Sequence, residues 1–148
     1  MNVFGAIIAG LAGTAALTMV MSMAPKMGMP EMDIVGMLGS MFGKSNRTLG
    51  MVIHFMMGIV FALVYAYLWS IGTGGATWLN GLIFGAVHWL IVGMAMAMIP
   101  MMHAGIKSGA VKAPGMWMTN NGGMKAFVGG LMGHMVFGLV AVFVYNLF

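Results

Sequence analysis

Four long apolar segments constrain this chain more than any other feature of its sequence. They cover approximately residues 3–24, 48–71, 78–100 and 124–147, and the first three contain no charged side chain. Each is long enough to cross a bilayer, which requires about 20 predominantly apolar residues in an α-helix. No strand-like alternation competes with them, and only helices or closed barrels satisfy their backbone hydrogen bonds in lipid. The segments therefore predict an all-α integral membrane protein with four transmembrane helices.

The charge content excludes the soluble alternatives. Only 5% of the 148 residues are charged and the mean hydropathy is +1.02, whereas soluble domains carry roughly 25% charged residues and disordered chains need low hydrophobicity. The net charge of +4 rests on six basic residues, which indicates membrane orientation rather than nucleic-acid binding. The chain has no cysteine, which excludes disulfides and thiolate chemistry. We expect one membrane domain over residues 1–148, with the first segment retained because it is too long for a signal-peptide core.

The basic residues predict how the chain lies in the membrane. All six occur in, or at the ends of, the long loops that follow the first and third spans: Lys26, Lys44, Arg47, Lys107, Lys112 and Lys125. The termini and the short turn at 72–75, which joins the second and third spans as an antiparallel hairpin, carry none. By the positive-inside rule we expect a multi-pass protein of the inner (cytoplasmic) membrane, with both long loops cytoplasmic and both termini outside.

The first loop is expected to contain one short helix. A proline-containing acidic stretch at 30–33 suits a first turn, the apolar residues of 34–42 follow helical spacing, and Gly43 suits a stop. At about 13 residues this helix is too short to span, so it is predicted to lie in the cytoplasmic interface. The second loop, 103–123, is predicted to have no regular structure, with His103 solvated at the membrane boundary.

The chain contains an internal repeat. The first and third spans both end in M-x-M-x-M-x-P, at an offset of 75 residues, and the second and fourth share G-x3-H-x3-G and a later Val-Tyr pair, at an offset of 80. We interpret this as two tandem two-helix repeats, about 1–71 and 76–148. Because both copies have the same topology, a pseudo-two-fold axis along the membrane normal is expected to relate them.

The repeat places glycines and a histidine on one face of the second and the fourth span. In each copy the glycines lie four residues before and after the histidine, so all three share a helix face. Small residues at this spacing let helices approach closely in lipid, which predicts packing through Gly50, Gly58, Gly130 and Gly138. The symmetry also predicts that the two histidines, His54 and His134, lie at similar depths.

Three histidines are the ionisable side chains expected deep in the membrane: His54, His88 and His134. Polar residues at this depth are functional candidates. One hypothesis is that His54 and His134 face each other and ligate the iron of haem b, or another metal, as an electron-transfer site. The alternatives are interhelical hydrogen bonds and a proton or ion path. His88, beside Trp89, is the weaker ligand candidate. No catalytic motif is present, so no enzymatic activity is predicted.

The 22 methionines raise copper as a second candidate metal. Met-x-Met runs near His103, and methionines beside His54, carry the thioether donors that suit Cu(I). However, a spacing of two residues spreads these side chains around a helix instead of lining one face, and the methionine-rich span ends are predicted to point to the cytoplasm. The alternative interpretation is that methionine fills irregular gaps against lipid or partner helices.

The chain also resembles a known group of proteins. The Met-Ala-Pro end of the first span, the stretch M-G-M-P-E-M-D that follows it and the stretch G-x3-H-F-M-M-G of the second span are similar to small four-span bacterial and archaeal membrane proteins of unknown function. That group is loosely similar to the YagU-like inner-membrane family. The resemblance implies the four-span architecture and brings no activity or catalytic residues.

These patterns favour a non-enzymatic accessory or structural subunit of a larger membrane assembly. The expected partners are the lipid bilayer and other membrane subunits or further copies of the chain, and not nucleic acid. Small-residue helix faces, little extramembrane mass and no catalytic group support this hypothesis. The alternatives are a haem- or metal-binding electron-transfer subunit and a small pore or carrier, with copper as a candidate cargo.

Overall fold

Helices account for all the regular structure in the computed structural model, which describes residues 1–148. Four are long and apolar enough to cross a membrane, as predicted: Val3–Met27, Arg47–Ser70, Trp78–Met102 and Gly123–Tyr145. The α-helices are α1 (Val3–Met23), α2 (Ile34–Gly39), α3 (Arg47–Ser70), α4 (Trp78–Ala95), α5 (Ile99–Met102), α6 (Ala104–Lys107) and α7 (Gly123–Tyr145). Turns of 3-10 helix occur at Ala24–Met27, Met96–Met98 and Met116–Asn121.

Polar residues and glycines determine where the spanning helices begin and turn. The side-chain oxygens of Asn2, Asn46 and Thr77 accept hydrogen bonds from N–H groups in the first turns of α1, α3 and α4. These N–H groups have no partner within their own helix. The connection between α3 and α4 contains three glycines of 72–75 with φ between +72° and +94°, a conformation that glycine adopts without strain.

The two ends of the helix bundle are built differently. Both long loops lie together at one end, where the Ala104 N–H donates to the Met41 carbonyl at 3.1 Å. At the opposite end the turn at 71–77 meets the C-terminus, where the Asn146 side chain donates to the Ala76 carbonyl at 2.8 Å. We call these the loop end and the turn end.

Glycines bring helix backbones into contact along three of the four seams of the bundle. Helix α1 packs on α3 and on α7, and α4 packs on α7. A Cβ at Gly10 would lie 2.7 Å from the Cα of Ile59, and a Cβ at Gly81 would lie 2.7 Å from the carbonyl oxygen of Gly138. Backbone approaches this close supply the packing that holds helices together in lipid.

The fourth seam, between α3 and α4, lacks close backbone packing. Aromatic side chains bridge it instead. The ring of Phe61 stacks on His88 with centroids 3.7 Å apart, and the rings of Tyr65 and Phe84 meet edge to face at 5.2 Å. The helices therefore follow the spatial order α3–α1–α7–α4. The hairpin of α3 and α4 has the short turn that was predicted, but bulky side chains keep its two helices apart.

The helix of the first loop is half as long as predicted. Helix α2 has six residues, begins where Asp33 accepts the N–H of Gly36 at 2.9 Å, and lies buried against α3 at Gly50. The predicted length of 13 residues was wrong because the chain leaves the helix after Gly39, whose carbonyl accepts the N–H of Asn46 at 3.0 Å. Further on, Gly43 adopts a left-handed φ of +106°. Such a conformation terminates a helix.

The second loop is more regular than predicted, and His103 is buried rather than solvated. The loop contains α6 and a 3-10 turn in which Trp117 and Met118 adopt left-handed φ angles of 51° and 57°. His103 is 1% exposed; its Nδ1 accepts the N–H of Ile106 at 3.1 Å and its Nε2–H donates to the Met37 carbonyl at 2.8 Å. It therefore caps α6 and joins the two long loops.

The ion pair of Asp33 and Arg47, with 2.7 Å between its atoms, ties the start of α2 to α3. Burial alone would raise the pKa of Asp33, but the hydrogen bond and charge of Arg47 and the Gly36 N–H lower it below its ordinary 3.8. The ionised carboxylate is thus favoured in the folded chain, so its stabilisation is complete above pH 3.8 and is lost as the pH falls through the lowered pKa.

We expect Asp33→Asn, which keeps a capping side chain, to cost less than about 1 kcal/mol because the pair is exposed. Asp33→Ala also removes the cap and should cost about 1 kcal/mol more. Thermal unfolding at pH 7 and pH 3 tests both, since the difference between wild type and Asp33→Asn should shrink at pH 3. Equal losses for the two variants at pH 7 would contradict the capping role.

Candidate functional site

A cavity lies inside the bundle, between the four spanning helices and closer to the loop end. It has a volume of about 60 Å³, and its lining includes His54 on α3, His88 on α4 and His134 on α7. The structure therefore brings the three predicted intramembrane histidines to one place, which we call the histidine cavity. Most of the remaining lining is apolar.

The ring of His134 has a defined tautomer when neutral. Its Nδ1 lies 2.8 Å from the carbonyl oxygen of Gly130, one turn earlier on α7. A carbonyl only accepts, so Nδ1 carries the hydrogen and Nε2 keeps its lone pair. The ring is 4.8 Å from that of His88 and 4.9 Å from that of Trp89, centroid to centroid. His134 is thus a fixed group with one free acceptor nitrogen.

His88, the weaker candidate on sequence grounds, is held on two sides. The Tyr65 hydroxyl lies 3.1 Å from its Nδ1, and the ring of Phe61 stacks on its face. These contacts bridge the seam between α3 and α4. His88 therefore has a structural role in addition to lining the cavity.

His54 differs from the other two histidines because its ring makes no hydrogen bond at all and its Nε2 is fully buried. It is 8% exposed, and this nitrogen is buried and unpaired. The Nε1 of Trp89, which is 1% exposed and lines the same cavity, is also unpaired. Buried polar groups in proteins are nearly always hydrogen-bonded, so unpaired ones call for an explanation. The sequence analysis did not identify Trp89 as a site residue. Its position could have indicated one, because tryptophan prefers the membrane interfaces and Trp89 lies in the middle of a span.

A second, more polar cavity connects the site to the loop end. It has a volume of about 250 Å³, and its lining includes Glu31, Asp33 and Arg47. Glu31 and Asp33 are the only two acidic residues of the chain. We call this cavity the vestibule. Because His54 lines both spaces, it lies at the boundary between the vestibule and the histidine cavity.

Aromatic side chains close the bundle beyond the cavity, towards the turn end. Tyr65, Trp69, Phe84, Phe137 and Tyr145 pack there with neighbouring ring centroids 5.2 to 5.9 Å apart. The histidine cavity therefore adjoins the vestibule on its loop side and is bounded by aromatic rings on its turn side.

The two histidines predicted from sequence to ligate a metal share a cavity but do not contact each other. His54 and His134 line one cavity, but no ring contact or hydrogen bond joins them, and His88 is the histidine that touches His134. No three His, Asp or Glu side chains are grouped closely enough to hold a metal ion. The soft donors are more numerous, because the cavity lining contains five methionines: Met21, Met32, Met57, Met96 and Met118.

The predicted packing glycines are all buried but contact different partners. A Cβ at Gly58 would meet the Thr14 hydroxyl, one at Gly138 the Gly81 carbonyl, and one at Gly130 the ring of Trp89. Gly50 instead lies against the backbone of α2. All four therefore pack within the chain.

Comparison with known proteins gives a family but no activity. The model of a family of unknown function, DUF6789, matches residues 1–148, so the chain belongs to this family. No curated protein and no solved structure matches it. The family match agrees with the resemblance, inferred from sequence, to membrane proteins of unknown function. The further likeness to YagU-like proteins rests only on the short sequence stretches.

Proposed function

We propose that this DUF6789 protein binds a small ligand inside the membrane, in the histidine cavity, and that the ligand enters from the loop end. The observation that carries the proposal is the unpaired Nε2 of His54 at the boundary between the vestibule and the cavity. An unpaired buried polar group costs about 1–3 kcal/mol. A ligand that contacts His54 would offset that cost, and His134 offers a second free nitrogen. The aromatic closure at the turn end favours binding over a continuous pore.

Native mass spectrometry of the protein in native-lipid discs tests this proposal. We expect a stoichiometric non-lipid adduct on the wild-type chain, with occupancy reduced at least about tenfold in His54→Ala, which corresponds to a loss of 1.4 kcal/mol or more of binding free energy. Tyr67→Phe is the matched control, because Tyr67 lies on the same helix and is 55% exposed. A wild-type chain without an adduct, or an adduct equally abundant in His54→Ala, would contradict the proposal.

Haem b is a second candidate occupant, favoured by the anchoring of His134. A metal-bound histidine typically donates its other ring N–H to a carbonyl or carboxylate, as His134 does to Gly130. His54 would supply a second nitrogen to the iron, but the bundle would have to widen to admit the porphyrin, because the cavity holds only about 60 Å³. An absorbance spectrum of freshly purified protein decides, since a missing Soret band excludes haem as the occupant.

The accessory-subunit hypothesis is a proposal about assembly. The glycine faces that suggested it pack within the chain, and the outward surface consists of large apolar side chains such as Met19, Ile91 and Phe143. Such a surface suits lipid, other membrane subunits or further copies of the chain. A lone monomer in native-lipid discs, with no co-purifying protein, would count against this role.

We also propose that the two halves are structural repeats. Across the α1–α3 crossing, a Cβ at Gly58 would lie 3.2 Å from the Gly10 carbonyl oxygen. Across the α4–α7 crossing, a Cβ at Gly138 would lie 3.1 Å from the Gly85 nitrogen. These pairs are related by the offsets of 75 and 80 residues, which supports the pseudo-two-fold relation. An experimental structure with different geometries at the two crossings would argue against it.

The orientation prediction has a direct test, because the chain contains no cysteine. We propose that the loop end, with α2 at the interface, faces the cytoplasm. A membrane-impermeant maleimide added to intact cells should then label Thr73→Cys, in the exposed turn, and not Ser108→Cys, in the exposed second loop. Both should be labelled after the cells are lysed. The reverse pattern in intact cells would invert the topology.

A further inference from the structure

We propose that the ligand of the histidine cavity is a soft monovalent metal ion, Cu(I) in chemical class, held by His54, Met21 and Met32. This inference rests on the proposed function and specifies the ligand. Met21, Met32, Ile34 and His54 are the four side chains that line both the vestibule and the histidine cavity. Three of these four carry a nitrogen or sulfur donor. The boundary between the two spaces is therefore the place where donor atoms are concentrated.

The types of donor atom select the metal. Thioether sulfur and neutral imidazole nitrogen favour Cu(I), whereas carboxylate and carbonyl oxygens suit magnesium, calcium and manganese. The unpaired Nε2 of His54 is free to coordinate. Met32 is 6% exposed and packs in a cluster with Trp89, Met96 and Met118. The thioethers of Met96 and Met118 thus lie next to Met32 in the lining of the cavity.

The charge distribution favours a monovalent ion. The lining of the histidine cavity contains no Asp, Glu, Lys or Arg, so a bound ion would keep its full charge in a low-dielectric site. The cost of desolvating an ion rises with the square of its charge, which disfavours divalent ions where no carboxylate neutralises them. Both acidic residues of the chain line the vestibule instead, at the entrance. Asp33 is paired with Arg47, which leaves Glu31 as the carboxylate that can attract a cation.

The methionine side chains reach the site from different elements. Met21 lies on α1, and Met32 lies in the first loop just before α2. A spacing of two residues spreads methionines around a single helix, but this site does not depend on such a run. The fold collects single methionines from separate segments around one histidine.

The test uses Ag(I), a soft monovalent ion that needs no reductant, in competition with a chelator and with the purified full-length chain. We expect one tightly bound Ag(I) per chain by elemental analysis after desalting, and no retention of Zn(II). Met21→Leu and Met32→Leu, which preserve volume and remove the sulfur, should each weaken binding at least about tenfold. Met19→Leu is the matched control, because Met19 is on α1 and 64% exposed.

His54→Gln should abolish the tight site, and thermal unfolding of each variant shows whether the fold is retained. Wild-type protein that fails to retain Ag(I), or equal affinities for Met32→Leu and Met19→Leu, would overturn the inference. If Ag(I) fails to bind while an organic adduct dependent on His54 is present, the ligand class is wrong and the proposed function stands. If neither is present, both are wrong.

Discussion

Gly85→Ala is expected to destabilise the bundle by about 2–3 kcal/mol, although alanine is the better helix former by up to about 1 kcal/mol. The added Cβ would meet the His134 carbonyl oxygen and lie 2.8 Å from the Cα of Met135. These are backbone atoms of α7 and cannot rotate away as a side chain could. The two helices must therefore separate, which weakens the packing along the whole α4–α7 seam.

Thermal unfolding in lipid discs measures this effect, with Ala15→Leu as the control. Ala15 is exposed on α1, so the larger side chain there faces lipid and should change stability by less than about 0.5 kcal/mol. Gly10→Ala, at the equivalent position of the other half, should behave as Gly85→Ala does, because its Cβ would lie 2.7 Å from the Cα of Ile59. A Gly85→Ala variant at least as stable as the wild type would show that the backbones of α4 and α7 do not touch at this glycine.

His103→Ala is expected to loosen the loop end and cost about 3 kcal/mol. Two hydrogen bonds contribute roughly 1 kcal/mol each, and removing a fully buried ring leaves a cavity that adds to the cost. The substitution removes the hydrogen bonds to Ile106 and Met37, which join the second loop to the first. The spanning helices do not depend on these bonds, so the destabilisation is expected to be local.

Limited trypsin digestion measures this loosening, because Lys44 lies in the first long loop and Lys107 in the second. We expect cleavage there to become at least about tenfold faster in His103→Ala, since each 1.4 kcal/mol of easier local opening raises the open population tenfold. Thr73→Ala, in the exposed turn at the other end, should leave the rate unchanged. Cleavage of His103→Ala at the wild-type rate would show that the two loops are not held by this residue.

Sequence reasoning succeeded where the bilayer itself dictates the answer. Hydrocarbon thickness determines the length of an apolar span, so the four spanning helices were found close to their observed bounds. The intramembrane histidines were singled out because few polar residues occur at that depth, and all three line one cavity. What brings His54, His88 and His134 to one cavity is the packing of α1 on α3 and α7 and of α4 on α7, which no local pattern encodes.

The failures all concern contacts between segments distant in sequence, with one local exception. His103 is polar and flanks a span, so solvation was the natural expectation, but its partner Met37 lies 66 residues away. Trp89 was overlooked because its environment is created by Gly130 on another helix. The exception is helix α2, which was overestimated because the apolar pattern continues to Phe42, whereas the helix ends at Gly39 and the Gly39 carbonyl accepts the N–H of Asn46.

In the helix order α3–α1–α7–α4, the four seams of the bundle are not packed equally closely. Three seams are closed by backbone contact, so the helices form an open chain of contacts instead of a closed ring. Only side chains and the turn at 71–77 hold α3 to α4, so this is the seam at which the bundle is expected to open most easily. Met57, which lines the histidine cavity and is 38% exposed, lies on α3, one of the two helices of this seam.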